Sequence, residues 1–170
     1  AFVGPSAALG SDLPGIVCSH NGAIGIHAPN GIRARNFKFD GGSKSDPNLS
    51  PTVLVFAGGN NNSGNQDDTD SSFRRCEFGT KAGGYALQIN GRNANIGDCA
   101  FSDLTNGATC VKLEWRGIQP DSSDGSDAQL ETSWRKNRIY DNQFHTNNGT
   151  TAIEVDGQYE IRGLIISDNI

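Results

Sequence analysis

The chain has 170 residues, and its 14 lysines and arginines against 19 aspartates and glutamates give a net charge of −5. A chain of this length makes one domain. The acidic balance argues against a phosphate-tracking surface for nucleic acid, and no apolar run approaches the roughly 18 residues of a membrane span. Glycine (22) and asparagine (17), which both tolerate positive φ, are abundant. The composition therefore predicts an all-β chain with many tight corners.

A pattern of two short apolar stretches separated by a corner recurs along the chain. In its clearest copy, Leu87 and Ile89 precede a corner at Gly91, and a second alternating stretch follows. The apolar positions of the successive copies are Ile24, Ile26, Ala34, Phe37 and Phe39; Leu54, Phe56, Phe73, Cys76 and Phe78; Leu87, Ile89, Ile96, Cys99 and Phe101; Val111, Leu113, Ile139, Asn142 and Phe144; and Ile153, Val155, Ile161, Leu164 and Ile166. Such repetition is typical of solenoids, in which each coil buries its apolar face against the next.

Two positions of the repeat form columns of similar side chains. The last position holds Phe39, Phe78, Phe101, Phe144 and Ile166, and the one before it holds Phe37, Cys76, Cys99, Asn142 and Leu164. Stacked coils place such residues inside the core, about 4.8 Å apart, and Asn142 then needs neighbouring backbone to satisfy its amide. An antiparallel sandwich of short strands is the alternative fold, but it does not explain why Cys and Phe recur at the same positions.

Segments 31–42, 96–101 and 139–144 carry a loose I-x-I-x-x-N-x-F pattern. This pattern resembles the right-handed parallel β-helix proteins of the pectate-lyase-like superfamily, and among them bacteriophage tailspikes and related virion appendages. The resemblance implies an all-β, right-handed parallel β-helix solenoid of about five coils, with two long loop insertions on one side. We expect a lead-in segment over residues 1–14 and the β-helix domain over residues 15–170, as part of a longer chain.

The resemblance also implies a function. A tailspike-type virion protein binds a host cell-surface polysaccharide and, if it is an enzyme, acts as a polysaccharide depolymerase, either a glycoside hydrolase or a lyase. It would be a homotrimer in contact with other virion proteins, located in the virion after synthesis in the host cytoplasm, with no membrane insertion. The alternatives are a non-catalytic structural, decoration or receptor-binding appendage of the virion and, more distantly, a secreted polysaccharide lyase.

Four cysteines, Cys18, Cys76, Cys99 and Cys110, are an even number, which suggests disulfides. However, Cys76 and Cys99 fall in one inward column, where stacking holds their Cβ atoms beyond the ~3.8 Å that a disulfide prefers. No C-x-x-C pair is present. We therefore predict buried free thiols, which suit folding in a reducing cytoplasm.

Two insertions, residues 60–72 and 118–136, follow the same corner of the repeat in two copies that flank the short copy of Gly91. Long loops on a repeat scaffold gather on one face, which predicts a groove with two acidic walls and the short coil as its floor. Carboxylates, amides and aromatic rings suit sugars, and the residues predicted to contact substrate are Asp67, Asp70, Asn90, Trp115, Asp121, Asp124, Glu131 and Trp134. Alternatively, the two tryptophans cap the open side of the core.

An outward column just before this corner holds Ala57, Asn90, Glu114 and Asp156. Glu114 and Asp156 are the candidate catalytic pair, because neighbouring coils bring two carboxylates to the separation that glycoside hydrolysis requires. Mutual repulsion would then raise the pKa of one of them, as a general acid needs. The alternatives are two solvated carboxylates, or a pair bridged by a cation or by Lys112.

Aspartates in both insertions raise the question of calcium. Asp67-Asp68-x-Asp70 and Asp121-x-x-Asp124-x-x-Asp127 offer oxygen ligands, but neither follows the Asp-x-Asp-x-Asp-Gly pattern of a calcium loop. Solvated loop charge is the simpler interpretation. We predict no metal site and no cofactor, with Ca²⁺ as the alternative.

Overall fold

Three parallel sheets run along the chain, and each strand pairs with its counterparts on the neighbouring coils. The computed structural model describes residues 2–3, 13–58, 70–91, 93–105, 107–115, 137–145, 149–157 and 163–170. Successive strands pass through sheet A, sheet B and sheet C in turn, which makes the chain a right-handed parallel β-helix of about five coils. The predicted fold class is confirmed.

Each sheet collects one strand from each coil. Sheet A contains, in order, β1 (Phe2–Val3), β4 (Arg33–Arg35), β7 (Ser72–Arg74), β10 (Asn95–Gly97), β13 (Arg138–Tyr140) and β16 (Ile165–Ser167). Sheet B contains β2 (Gly15–Val17), β5 (Lys38–Ser43), β8 (Glu77–Ala82), β11 (Ala100–Thr105) and β14 (Gln143–Phe144). Sheet C contains β3 (Ile24–Ala28), β6 (Val53–Gly58), β9 (Tyr85–Asn90), β12 (Thr109–Trp115) and β15 (Thr151–Gly157). A short 3₁₀ helix, Pro47–Leu49, lies between β5 and β6. Because β1 pairs with β4, the expected lead-in segment contributes a strand, and its boundary at residue 14 stays a prediction.

An aromatic column runs through the core along sheet B. The ring centroids of Phe39 and Phe78 are 5.0 Å apart, those of Phe78 and Phe101 4.8 Å, and those of Phe101 and Phe144 5.1 Å. These distances match the strand spacing because each ring stacks on the ring of the next coil. The predicted column is confirmed for these four residues.

The corner between sheets A and B is a single residue in the left-handed region. On successive coils the residues at this corner have φ between 51° and 54°, and they are Asn36, Arg75, Asp98, Asp141 and Asp168. Asn and Asp adopt this conformation at less cost than most residues, because their short side chains bond locally. The corner turns the residue that follows it toward the core, where Cys76, Cys99 and Asn142 are fully buried.

Asn142 is satisfied by backbone, as predicted. The Cys99 N–H donates to Asn142 Oδ1 at 2.9 Å, and Asn142 Nδ2 donates to the Ile96 carbonyl at 3.1 Å. In the next coil Asn169 continues the arrangement, because its Nδ2 donates to the Ile139 carbonyl at 3.0 Å. The amides thus bridge neighbouring coils within the core.

Three predicted alignments are wrong. In the first coil Ile26 and Ala28, and not Ile24 and Ile26, continue the columns of Leu87 and Ile89. In the last coil Ile166 pairs with Ile139 in sheet A, so Asn169, and not Leu164, follows Asn142 in its column. In the second coil Val55 and Ala57, and not Leu54 and Phe56, pair with Leu87 and Ile89. The error in the second coil arises because β6 is buried along its whole length, so its sequence does not alternate and does not show which residues face the core.

All four cysteines are buried and free, which confirms the prediction. Burial raises the pKa of the Cys110 thiol to about 12, and it also raises the pKa of Cys18, to which the charge of Asp40 adds. These thiols therefore pack as small apolar side chains.

Candidate functional site

The two insertions leave the β-helix at one corner, between sheets C and A. The first leaves after Gly58 at the end of β6, and the second leaves after Trp115 at the end of β12. They return at Ser72 and Arg138, which both pair with Asn95. Between them the third coil turns the corner over residues 91–94 alone. The predicted placement of the insertions around a short coil is confirmed for their points of attachment.

Several predicted contact residues belong to the insertions themselves. Asp67, Asp121, Asp124, Glu131 and Trp134 lie outside the described residues, as does the side chain of Trp115. The substrate contacts assigned to them, and the alternative that the tryptophans cap the core, stay predictions.

The candidate catalytic pair lies in register on neighbouring strands. Glu114 on β12 pairs with Asp156 on β15, as the repeat predicted. The first member of the column needs correction, because Gly58, and not Ala57, pairs with Asn90. Asn90 is buried, so its contact with a ligand stays a prediction.

The two carboxylates lie in different surroundings. Glu114 is buried, and its carboxylate accepts a hydrogen bond from the side-chain amide of Gln88. The side chain of Asp156 is 61% exposed and forms an ion pair with Lys112 at 3.5 Å. One carboxylate is therefore held by an amide away from solvent, while the other is solvated and faces a cation.

Lys112 is the centre of charge on this face of sheet C. Its Nζ lies 3.2 Å from Glu154 Oε1, 3.2 Å from the Tyr85 hydroxyl and 4.7 Å from the centre of the Tyr85 ring. Burial lowers the pKa of Lys112, but the hydrogen bonds to Tyr85 and Glu154 and the negative charge of Glu114 outweigh it, so the net shift is upward. Lys112 is therefore charged at neutral pH, and it provides the ion-pair partner of Asp156.

A pocket of about 350 Å³ opens at the corner itself. It is lined by Asp70, Asn93, Asn95 and Arg138, so it joins the ends of both insertions to the short coil between them. Asp70, predicted to contact substrate, lines this pocket and lies 3.8 Å from Arg33. Asn95 Oδ1 is buried and has no hydrogen-bond partner among the described residues.

Sequence reasoning missed Gln88 and Arg138, and it named Lys112 only in the alternative that a lysine bridges the two carboxylates. Lys112 and Gln88 stand two positions before Glu114 and Asn90, so strand alternation alone would have placed them on the same outward face. Arg138 stands immediately before the inward Ile139 and faces outward for the same reason.

The described part of the chain contains no cluster of three or more His, Cys, Asp or Glu side chains that could hold a metal ion. Most of the aspartates considered for calcium lie outside it, so that alternative stays untested. Within the same residues no helix is long and apolar enough to cross a membrane.

Comparison with protein-family models found no match, and comparison with curated proteins and with solved structures found none either. The parallel β-helix is therefore established by strand pairing alone.

Proposed function

We propose that this chain is the polysaccharide-binding β-helix of a bacteriophage tailspike-type virion protein. One observation carries the proposal: two insertions attach on either side of a short coil, at a corner where a pocket lined by amide, carboxylate and guanidinium groups opens. A pocket with converging polar groups is typical of a ligand site, and sugar hydroxyls both donate to and accept from such groups.

Cleavage of the bound polysaccharide is part of the proposal. Glu114 and Asp156 lie on paired strands, about 4.8 Å apart at the backbone, and glycoside hydrolysis requires two carboxyl groups roughly 5–9.5 Å apart. The two carboxylates differ in exposure, since Glu114 is buried and the side chain of Asp156 is 61% exposed. One of them would act as the proton donor and the other as the base or nucleophile.

A non-catalytic virion appendage, structural, decorative or receptor-binding, is the second candidate. It is favoured by the ion pairs of Lys112 with Asp156 and Glu154, because these pairs give the carboxylates of Asp156 and Glu154 a structural role. A secreted polysaccharide lyase is the third candidate, and the four free thiols favour the first two because they suit folding in a reducing compartment. The homotrimer and the virion partners belong to the proposal as expectations of the resemblance, and calcium bound by the insertions stays the alternative to the proposed absence of a metal site.

The test is incubation of the full-length protein with a panel of purified capsular and O-antigen polysaccharides. Polymer length is followed by size-exclusion chromatography, and lyase products by the ultraviolet absorbance of their new double bond. Shortening without absorbance indicates hydrolysis, and shortening with absorbance indicates a lyase. Binding without shortening supports the second candidate, and neither binding nor shortening by a folded protein refutes the proposal.

Variants of the catalytic pair are compared with a variant that only removes a surface charge. Glu114→Gln and Asp156→Asn are expected to abolish shortening while binding persists. The matched control is Asp103→Asn, because Asp103 is also exposed and pairs with a lysine, Lys44, at 3.4 Å, but lies on sheet B. If Asp103→Asn lowers activity as much as Asp156→Asn, the assignment of the catalytic pair is wrong.

A further inference from the structure

Each of the two candidate carboxylates is contacted by a side chain of the preceding coil, and the geometry of the contact is the same for both. Gln88 is in register with Lys112, which stands two residues before Glu114. Lys112 is in turn in register with Glu154, which stands two residues before Asp156. Gln88 therefore reaches Glu114, and Lys112 reaches Asp156, by the same diagonal step of one coil and two residues.

This diagonal step requires a long side chain. One coil corresponds to about 4.8 Å and two residues along a strand to about 6.6 Å, so the step separates the two backbones by about 8 Å. Glutamine and lysine are long enough to donate across it, and both carry N–H donors at the tip of the side chain. The two positions that precede the carboxylates on this face are therefore occupied by residues that can hold them.

Gln88 holds Glu114 from within the buried part of this face. Both side chains are buried, and the Gln88 amide donates to Oε2 of Glu114. A hydrogen bond to one oxygen from a buried donor fixes the orientation of the whole carboxylate, because the two oxygens share one plane. Removal of the amide would leave Glu114 free to turn toward other partners.

Lys112 holds Asp156 from a position that is itself fixed. The side chain of Lys112 is 10% exposed, and its Nζ lies 3.2 Å from the Tyr85 hydroxyl and 3.2 Å from Glu154 Oε1. Asp156 is largely exposed, and an exposed side chain exchanges between rotamers unless a contact restricts it. The ion pair with Lys112 at 3.5 Å provides this restriction.

From these contacts we infer that Gln88 and Lys112 are positioning residues for cleavage, acting through Glu114 and Asp156 respectively. Glycoside hydrolysis requires its two carboxyl groups at a defined separation, and a displacement of about 1 Å costs about 100-fold in rate. The inference rests on the proposed function, and it adds to the catalytic pair the two side chains that keep the pair in its reactive orientation.

The test for Gln88 uses a polysaccharide that the full-length wild type shortens, and kcat and KM are measured from the new chain ends. Gln88→Met keeps the length of the side chain and removes the donor. We expect its kcat to fall about 10- to 100-fold while KM stays within about twofold, because orientation and not binding is lost. Gln88→Glu keeps the shape and places a second carboxylate beside Glu114. Neighbouring carboxylates oppose each other's ionisation, so the pH profile of kcat is expected to shift to higher pH.

The test for Lys112 compares loss of its charge with retention of it. Lys112→Met removes the ion pair with Asp156 and is expected to lower kcat about tenfold, whereas Lys112→Arg keeps a cation at this position and is expected to restore most of the rate. The matched control is Gln143→Met, because Gln143 is an exposed glutamine on β14 of sheet B, and its kcat is expected to equal that of wild type. Urea unfolding establishes that each variant is folded under the conditions of the assay.

The outcomes separate this inference from the proposed function. If no polysaccharide is shortened, or if Glu114→Gln still shortens it, cleavage by the catalytic pair is refuted and the inference with it. If Glu114→Gln abolishes shortening but Gln88→Met and Lys112→Met keep the kcat and the pH profile of wild type, the inference alone is overturned and the contacts are structural. A rise in KM at unchanged kcat also overturns it, because the contacts then serve binding and not orientation.

Discussion

Lys81 is a charge enclosed by the β-helix, and replacing it is expected to stabilise the protein. Its side chain is fully buried on β8, at a position where the next coil has Leu104. Its ammonium group donates to the carbonyl of Pro51. Burial lowers the pKa of Lys81 from 10.5 to about 8, because removal from water disfavours the charged form.

The expected change in the free energy of unfolding follows from this shift in pKa. A change from 10.5 to about 8 corresponds to roughly 3 kcal/mol of destabilisation at neutral pH, where the lysine is charged in both the folded and unfolded states. Lys81→Met keeps the length of the side chain and removes the charge, but leaves the Pro51 carbonyl without this donor, at a cost of about 1 kcal/mol. We therefore expect Lys81→Met to raise the free energy of unfolding by about 2 kcal/mol at neutral pH.

The pH dependence supplies the sharper test. Between pH 8 and 10.5 the unfolded chain keeps the proton that folded Lys81 has lost, so wild-type stability rises with pH through this interval relative to Lys81→Met. Urea unfolding of wild type, Lys81→Met and the exposed control Lys44→Met measures the difference at neutral pH and near the upper end of the interval. A variant less stable than wild type at neutral pH, or a difference that does not change with pH, would refute the reasoning.

Three further predictions concern the core. Phe101→Ala removes the central ring of the aromatic column and is expected to cost about 3–5 kcal/mol of unfolding free energy in urea; a loss under about 1 kcal/mol would contradict the stacked column. Asn142→Leu removes the hydrogen bonds that Asn142 makes with the Cys99 N–H and the Ile96 carbonyl and is expected to cost at least about 2 kcal/mol, whereas a neutral result would mean that these bonds do not hold the coils together. The four thiols are expected to react with Ellman's reagent only after unfolding, since all are buried; rapid reaction of Cys110 in the native protein would show that its coil is open.

Much of the fold could be predicted from the sequence because large inward side chains repeat. Phe39, Phe78 and Phe101 can recur at one position only if successive coils stack, and the structure stacks them. Which residues of β6 face the core could not be predicted, because both faces of this strand are buried. The correct alignment of the last coil could have been predicted from the sequence. Asp168-Asn169 stands one residue after Ile166, just as Asp141-Asn142 stands one residue after Ile139.

Within the candidate site, only the features that follow from the pairing of strands could be predicted. Register alone brings Glu114 beside Asp156. A contact between Lys112 and Asp156 was among the alternatives drawn from the sequence, and the structure contains it. The contacts of Lys112 with Glu154 and Tyr85 depend on side-chain reach across three coils, which the spacing of residues in the sequence does not encode. The pocket depends on residues from separate coils, and amides such as Asn95 are too common in this chain to stand out.

Polysaccharide binding at the corner of the two insertions is the central claim, and the tryptophans offer its most direct test. Trp115 and Trp134 are the only tryptophans, and both belong to or adjoin the second insertion. Titration of the full-length protein with the polysaccharide panel, followed by intrinsic fluorescence, is predicted to give a saturable change that Trp134→Phe or Trp115→Phe diminishes. Binding by calorimetry without any fluorescence change would place the site elsewhere, and no binding at all would contradict the account.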